Sequence, residues 1–219
     1  MHSSESTLFA HDPLTAALLP VVIHQLNNAT QLLANLHALL SLGGADELLR
    51  ARSGDLSETA RSVHELGYVL AVLASASGAD LLLERREARG LEWMLESVRH
   101  GLRRDGHDLA DCPAALPLLS AAVGDGWELP WAVGSLLHAA GQTTVAKERL
   151  GWSLEEDTDG WELLLPGVST ADLAELPALV DARLPGASCA DTAGGMRLAL
   201  PAEWLHAQPS SDPTREPVG

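Results

Sequence analysis

Residues 14–42 read LTAALLPVVIHQLNNATQLLANLHALLSL, and this stretch decides the fold. Apolar residues return at alternating steps of three and four, which is the heptad seam of a helix that packs lengthwise against other helices. The seam comprises Leu19, Val22, Leu26, Ala29, Leu33, Leu36 and Leu40. Pro20 stands near the expected first turn, where its missing N–H does least harm, and Gly43 and Gly44 end the helix. The pattern predicts one helix over the whole stretch.

A second heptad seam follows Ser53 to Asp55, which offer side chains for an N-cap. Its members are Leu56, Ala60, Val63, Gly67, Leu70, Ala74, Ser77 and Leu81. Two antiparallel helices with broad apolar faces cannot bury those faces by themselves, so we expect two copies to pair as a dimeric four-helix bundle. A bundle within one chain is the alternative, but the sequence offers no further helix of that length.

Past Arg86 the pattern changes to a mixture of helices and strands. Predicted helices cover Leu91–Arg104, 127–141 and 170–183, and predicted strands cover Arg149–Glu155, Gly160–Leu165 and Gly195–Leu200. The acidic turn at 156–159 joins the first two strands as a hairpin. Helices packed on one face of a sheet form an α/β sandwich, so the whole chain is predicted to be α+β.

The sequence therefore divides into four parts. We expect a disordered N-terminus at 1–12, a dimerising helical hairpin at 13–86, a second domain at 87–206 and a disordered tail at 207–219.

Composition excludes several classes of function. The chain has 219 residues, of which 46% are hydrophobic, and a formal net charge of −16. Such a charge repels nucleic acids and anionic membrane surfaces, so neither is an expected partner. The two cysteines form no CxxC pair, and the sequence has neither a signal peptide nor an apolar run long enough to span a bilayer. These features predict a cytoplasmic protein.

The octapeptide Val21-Val22-Ile23-His24-Gln25-Leu26-Asn27-Asn28 lies within the first helix. It resembles the phosphoacceptor box of two-component sensor histidine kinases, in which a histidine carries the phosphoryl group. In that family an acidic residue follows the histidine, and Asn or Thr stands four positions on. The order of elements after residue 87 is similar to the ATP-binding domain of the same kinases. The resemblance implies a histidine-kinase-like architecture over residues 14–205.

The nucleotide motifs of that family are missing. Two metal-binding asparagines fall here on Ser135 and Ala139, and alanine has no oxygen to give to magnesium. Leu165-Pro166-Gly167-Val168 stands where the family has Asp-x-Gly-x-Gly, and Gly194-Gly195 is all that remains of the glycine-rich lid. Residues 151–219 hold twelve acidic and three basic residues, which oppose a triphosphate. The second domain is thus predicted to be a degenerate ATPase-like domain that has lost ATP and magnesium and uses no cofactor.

Three residues are the candidate catalytic set. His24 takes an outward heptad position, where a neutral imidazole can attack an incoming phosphoaspartate. Asn28 lies one turn further on the same face, and in the family this position can orient a water for phosphatase chemistry. Gln25 replaces the acidic neighbour and is a far weaker base, a further sign that self-phosphorylation has been lost.

A kinase architecture with an intact histidine and no nucleotide site is similar to the dimeric histidine phosphotransferases of bacterial phosphorelays. The resemblance implies a homodimer that passes phosphoryl groups to or from receiver domains through His24, with a sensor kinase as a further possible partner. A non-catalytic pseudokinase scaffold and a response-regulator phosphatase using Asn28 are the alternatives. The regulator, the direction of phosphoryl flow and the handedness of the bundle connection stay open.

Overall fold

The computed structural model describes residues 12–41, 45–79, 87–111, 116–120, 126–145 and 148–208. Its N-terminal helices and small sheets make the chain α+β, as predicted. The predicted disorder of 1–12 and 207–219 falls almost entirely outside these ranges. Asp12 is an exception, because its carboxylate accepts hydrogen bonds from the backbone N–H of Thr15 at 3.0 Å and from the Thr15 hydroxyl. It is the N-cap of the first helix, and Pro13 takes the first helical position.

The first helix, α1 (Pro13–Ser41), is continuous, which confirms the helix expected from the heptad seam. Pro20 is not near its first turn, however, but inside the helix. Its ring nitrogen has no proton to donate to the carbonyl of Ala16, so α1 lacks one hydrogen bond in the turn before His24.

The second helix, α2 (Ala45–Ala76), begins well before the predicted cap at Ser53 to Asp55, and that prediction is wrong. Both residues lie inside the helix: the Ser53 hydroxyl donates to the carbonyl of Arg50, and the carbonyl of Asp55 accepts from the hydroxyl of Thr59. A serine hydroxyl can bond to a preceding helical carbonyl as readily as it caps a helix start, so the residue types alone did not locate the end.

Among the described residues, the stripe that the hairpin buries overlaps the predicted seams only at Val22 and Leu36. The aliphatic side chains buried among the described residues are Leu14, Leu18, Val21, Val22 and Leu36 on α1, and Leu66, Val69, Val72, Leu73 and Ala76 on α2. Leu19, Leu33 and Val63 of the seams are exposed instead, and the side chains of Leu40 and Leu81 lie outside the described residues. The buried stripe faces the rest of the chain, where Leu18 packs on Gly101: a Cβ at Gly101 would lie 2.8 Å from Leu18 Cδ2.

The remaining helices and strands follow in alternation. They are α3 (Gly90–Arg104), β1 (Asp108–Leu109), β2 (Leu118–Leu119), α4 (Glu128–Thr143), β3 (Arg149–Leu150), β4 (Ser153–Asp157), β5 (Gly160–Pro166), α5 (Leu176–Arg183), β6 (Ser188–Thr192), β7 (Gly195–Pro201) and β8 (Leu205–His206). The predicted helix at 170–183 is split, because a short 3-10 turn at Thr170–Leu173 precedes α5. Strand β7 is not the last one, as β8 pairs with β2.

The main sheet has the antiparallel order β4-β5-β7-β6, while β1 and β3 form a separate parallel pair. The predicted hairpin is confirmed: β4 and β5 pair from Ser153 with Leu164 to Asp157 with Gly160. Alternate side chains of the central strands point into the core, among them Leu163, Leu165 and Leu198. Glu162 and Arg197 occupy intervening positions and form an ion pair with an N···O distance of 2.7 Å.

Helix α4 is buried on most of its surface and carries an unusual polar group, His138. The side chain is 7% exposed, and its Nε2 atom has no hydrogen-bond partner among the described residues. Burial lowers the pKa of His138 below its ordinary value of 6.5, helped by Arg104 and His107 and opposed by Asp105 and Asp12. The folded chain therefore holds this imidazole neutral.

This burial makes stability depend on pH. Below about pH 6.5 the unfolded chain binds a proton at His138 that the folded chain refuses, so stability is complete above that pH and falls as the pH is lowered towards the folded pKa. Unfolding by urea at several pH values gives the free energy of unfolding as a function of pH. Its slope against pH should be steeper in the wild type than in His138→Leu by up to about 1.4 kcal/mol per pH unit. His37→Leu, at an exposed position of α1, is the matched control and should keep the wild-type slope. Equal slopes in His138→Leu and wild type would contradict the prediction.

Candidate functional site

His24 lies on the exposed face of α1, with its Nε2 atom 3.3 Å from the Nδ2 atom of Asn28 one turn later. An amide NH₂ group can only donate, so Nε2 accepts this hydrogen bond and the proton of the neutral ring resides on Nδ1. The lone pair of the ring is therefore on Nε2, where it accepts from Asn28. Bonding of Nε2 to an electrophile requires the Asn28 side chain to move away.

Asn28 is the only one of the predicted companions that contacts the His24 ring within the described residues. Its side chain is exposed too, so an incoming group can displace it from Nε2 without unpacking the helix. The side chain of Gln25 is half-buried and forms no hydrogen bond in the described part of the chain. Successive residues point about 100° apart around a helix, so Gln25 turns away from the ring to which Asn28 returns.

A groove begins beside this pair and runs between α1, α2 and α3. Its volume is about 690 Å³. The apolar lining consists of Ala29, Leu32, Leu66, Val69 and Trp93. Asn28 and Gln25 line the groove as well, so the groove and the imidazole of His24 meet at Asn28.

The rim of the groove is charged. Its carboxylates are Glu58, Glu65, Glu92 and Glu96, and its guanidinium groups are Arg61 and Arg89. The side chain of Arg89 forms two hydrogen bonds with the carboxylate of Glu92. Arg61 lies 3.6 Å from Glu58 and 3.8 Å from Glu65. Both arginines are thus engaged by carboxylates of their own helices, and the rim is net negative by two.

The sequence reasoning missed this groove. Trp93 is its main aromatic residue and packs edge-on against both His64 and Tyr68 of α2, with ring centroids 5.4 and 5.5 Å apart. The signal for it in the sequence is a tryptophan on the charged side of α3, beside Glu92 and near Glu96. That position alone does not reveal which helix lies opposite.

The predicted remnant of the nucleotide site lies on α4. Ser135 is buried there, one turn after Trp131, and Ala139 is half-buried. The guanidinium carbon of Arg183, at the end of α5, stands 4.6 Å from the centroid of the Trp131 ring and 5.5 Å from that of Trp127. Trp131 also donates from Nε1 to Asp12 at 3.4 Å. Trp131 on α4 is therefore covered by α5 and by the start of α1.

No three histidine, cysteine, aspartate or glutamate side chains of the described ranges come together in a way that could hold a metal ion. Nor does any helix in the part of the chain that the structure describes have the length and apolar character to cross a bilayer.

No protein-family model matches this chain, and no curated protein matches it. Among solved structures it is similar to the histidine kinase AdeS of Acinetobacter baumannii, at 14% sequence identity and a TM-score of 0.39. The match covers 84% of this chain and 96% of that one. AdeS is thus a distant structural neighbour, and a likeness of this degree says nothing about the activity of this chain.

Proposed function

We propose that the protein carries a phosphoryl group on Nε2 of His24 and exchanges it with the aspartate of a receiver domain, without ATP. The observation that supports this most directly is the exposed imidazole whose Nε2 accepts a hydrogen bond from Asn28. In a neutral ring this bond requires the tautomer with the proton on Nδ1 and the lone pair on Nε2. A nucleophilic imidazole needs that lone pair within reach of the incoming phosphoryl group, and the side chains of His24 and Asn28 are both exposed.

The transfer needs little covalent help from the protein. The Nε2 lone pair forms a bond to phosphorus as the bond between phosphorus and the aspartyl oxygen breaks, and the aspartate leaves as a carboxylate. The ring proton stays on Nδ1, so no general base is needed during the attack. This agrees with Gln25, an amide, in the place of an acidic neighbour. Positioning and charge stabilisation dominate such reactions, and the receiver supplies its own metal ion.

Loss of ATP binding belongs to the same proposal. Ser135 and Ala139 stand where the resembled family has metal-binding asparagines. Ser135 is buried on α4, and Arg183 stacks on Trp131 one turn earlier, so a nucleotide there would have to displace buried contacts. The phosphoryl group must then come from another protein.

A homodimer is the assembly that we propose for the chain. Leu19, Ile23 and Leu33 form an exposed apolar row along α1, and Val63 is exposed on α2. We name these four residues the apolar stripe. Long helices with such rows commonly pair with further helices, since leaving several large side chains in water costs free energy that association recovers.

A transfer assay tests the function. The full chain is incubated, without ATP, with receiver domains from its own organism that carry radiolabelled phosphoaspartate. Label that is labile in acid and stable in alkali is expected on the chain, because that is the behaviour of a phosphorus–nitrogen bond. Release of inorganic phosphate without label, abolished by Asn28→Ala, would instead indicate a phosphatase. A stable complex with the receiver, without label on the chain and without release of phosphate, would indicate a scaffold. Either the phosphatase result or the scaffold result would overturn phosphotransfer.

A further inference from the structure

The groove between α1, α2 and α3 is long enough for a helix. Its α2 wall runs from Glu58 to Val69, and its α3 wall from Arg89 to His100. At a rise of 1.5 Å per residue each wall is about 16 Å long, which equals three helical turns. The groove opens beside the candidate phosphoryl carrier and is built from parts of the chain far apart in sequence.

The floor of the groove has the chemistry of a helix-binding surface. Leu32 is exposed at one side, the half-buried ring of Trp93 lies at another, and Leu66 and Val69 form the base. An amphipathic helix binds such a floor through apolar side chains at spacings of three and four residues. A volume of about 690 Å³ would also suit a small molecule, but small-molecule sites have mostly apolar walls, whereas this rim is lined with charges.

The rim decides the charge of the occupant. Its four carboxylates exceed its two guanidinium groups, and both arginines are already engaged within their own helices. The chain as a whole carries a formal net charge of −16, so it repels acidic partners at a distance and attracts basic ones. A helix with lysine or arginine on both sides of its apolar ridge complements this groove.

We infer that the groove binds one amphipathic helix of a protein partner, with the apolar ridge on Leu32, Leu66 and Trp93 and with basic flanks towards Glu58 and Glu96. Asn28 lines the groove and contacts the ring of His24, so a partner bound here is brought next to Nε2. The inferred helix binding rests on the proposed function in one respect only: the partner is the protein that exchanges the phosphoryl group with His24.

The probes are two synthetic three-turn or longer peptides with the same leucine ridge, one flanked by lysines and one by glutamates. Isothermal titration calorimetry with the full chain should show binding of the lysine peptide at least about 10-fold tighter than that of the glutamate peptide. The double variant Glu58→Lys, Glu96→Lys should weaken the lysine peptide at least about 10-fold. Both side chains are well exposed, at 72% and 56%, so the variant should keep its fold, which circular dichroism checks.

A matched variant separates this groove from general attraction to an acidic protein. Glu175→Lys with Glu203→Lys makes the same change of charge at exposed positions that do not line the groove. It should leave the binding of the lysine peptide within about two-fold of wild type. Equal weakening in both double variants, equal binding of the two peptides, or no binding of the lysine peptide would each overturn the inference.

The two proposals can fail separately. Potassium phosphoramidate is a small phosphoryl donor, so it can reach His24 without a docked protein. Ammonia leaves as the bond between phosphorus and Nε2 forms. If it labels the wild type and the groove variant alike while the peptides do not bind, the carrier function survives and the groove inference is wrong. If the lysine peptide binds as expected and neither phosphoramidate nor any receiver labels His24, the groove is a docking site and the carrier function is wrong.

Discussion

Replacing His24 with alanine is expected to reduce the acid-labile label on the chain at least about 100-fold, down to the background of the assay. The reason is that no second imidazole of the described chain combines exposure with the Asn28 contact at Nε2. Removing the nucleophile of an enzyme commonly costs far more than this factor. The measurement is the transfer assay with labelled receivers, followed by mass spectrometry of the peptide that contains residue 24.

The fold should survive this change. His24 is exposed, and surface substitutions usually alter the free energy of unfolding by no more than about 0.5 kcal/mol. His37→Ala removes an exposed histidine from the same helix and should keep the full label. Label that persists in His24→Ala, or that is lost equally in His37→Ala, would mean that His24 is not the carrier.

Two glutamates in the apolar stripe are expected to separate the proposed homodimer. Leu33 and Val63 are 42% and 36% exposed in the single chain, and in a bundle between two copies they would leave water. A carboxylate buried there without a partner costs several kcal/mol. Leu33→Glu with Val63→Glu should therefore raise the dissociation constant about 1,000-fold, which corresponds to about 4 kcal/mol. Sedimentation velocity over a range of concentrations measures this constant.

The control for charge is Gln31→Glu with Asn35→Glu, which adds the same two charges to exposed polar positions of α1 away from the apolar stripe. This variant should dimerise like the wild type, and circular dichroism should show the same helix content in all three proteins. A wild type that stays monomeric at every concentration, or a stripe variant that still dimerises with wild-type affinity, would refute the proposed assembly.

The bounds of the first two helices could be predicted from the sequence only in part. The heptad spacing predicted α1 almost to the residue, because a long amphipathic helix has one periodicity and a glycine pair follows it. The start of α2 was misplaced by at least about two turns, since Ser53 and Asp55 suit a cap and a helix interior alike. The first turns of α2 contain Asp46 and Glu47, residue types that a helix N-terminus favours, and this was the better signal.

The heptad seams did not predict which apolar side chains are buried within the chain. The heptad period identifies the apolar face of a helix. It does not identify which other part of the chain, if any, covers that face. Val22 and Leu36 are buried within the chain, whereas Leu19 and Leu33, from the same seam, remain exposed. The packing of Leu18 on Gly101 selected the buried side, and that contact joins residues more than eighty positions apart.

The sequence by itself determined the α+β class, the long first helix and the outward position of His24, because all three follow from local periodicity and from the types of neighbouring residues. The acceptor nitrogen of that ring is a local matter as well, because Asn28 lies one turn after His24 in the same helix. Only the tertiary structure decided the side of the hairpin left bare and the groove at Asn28. Both depend on which distant side chains meet, and that is set by the packing of helices separated along the chain, which no local pattern encodes.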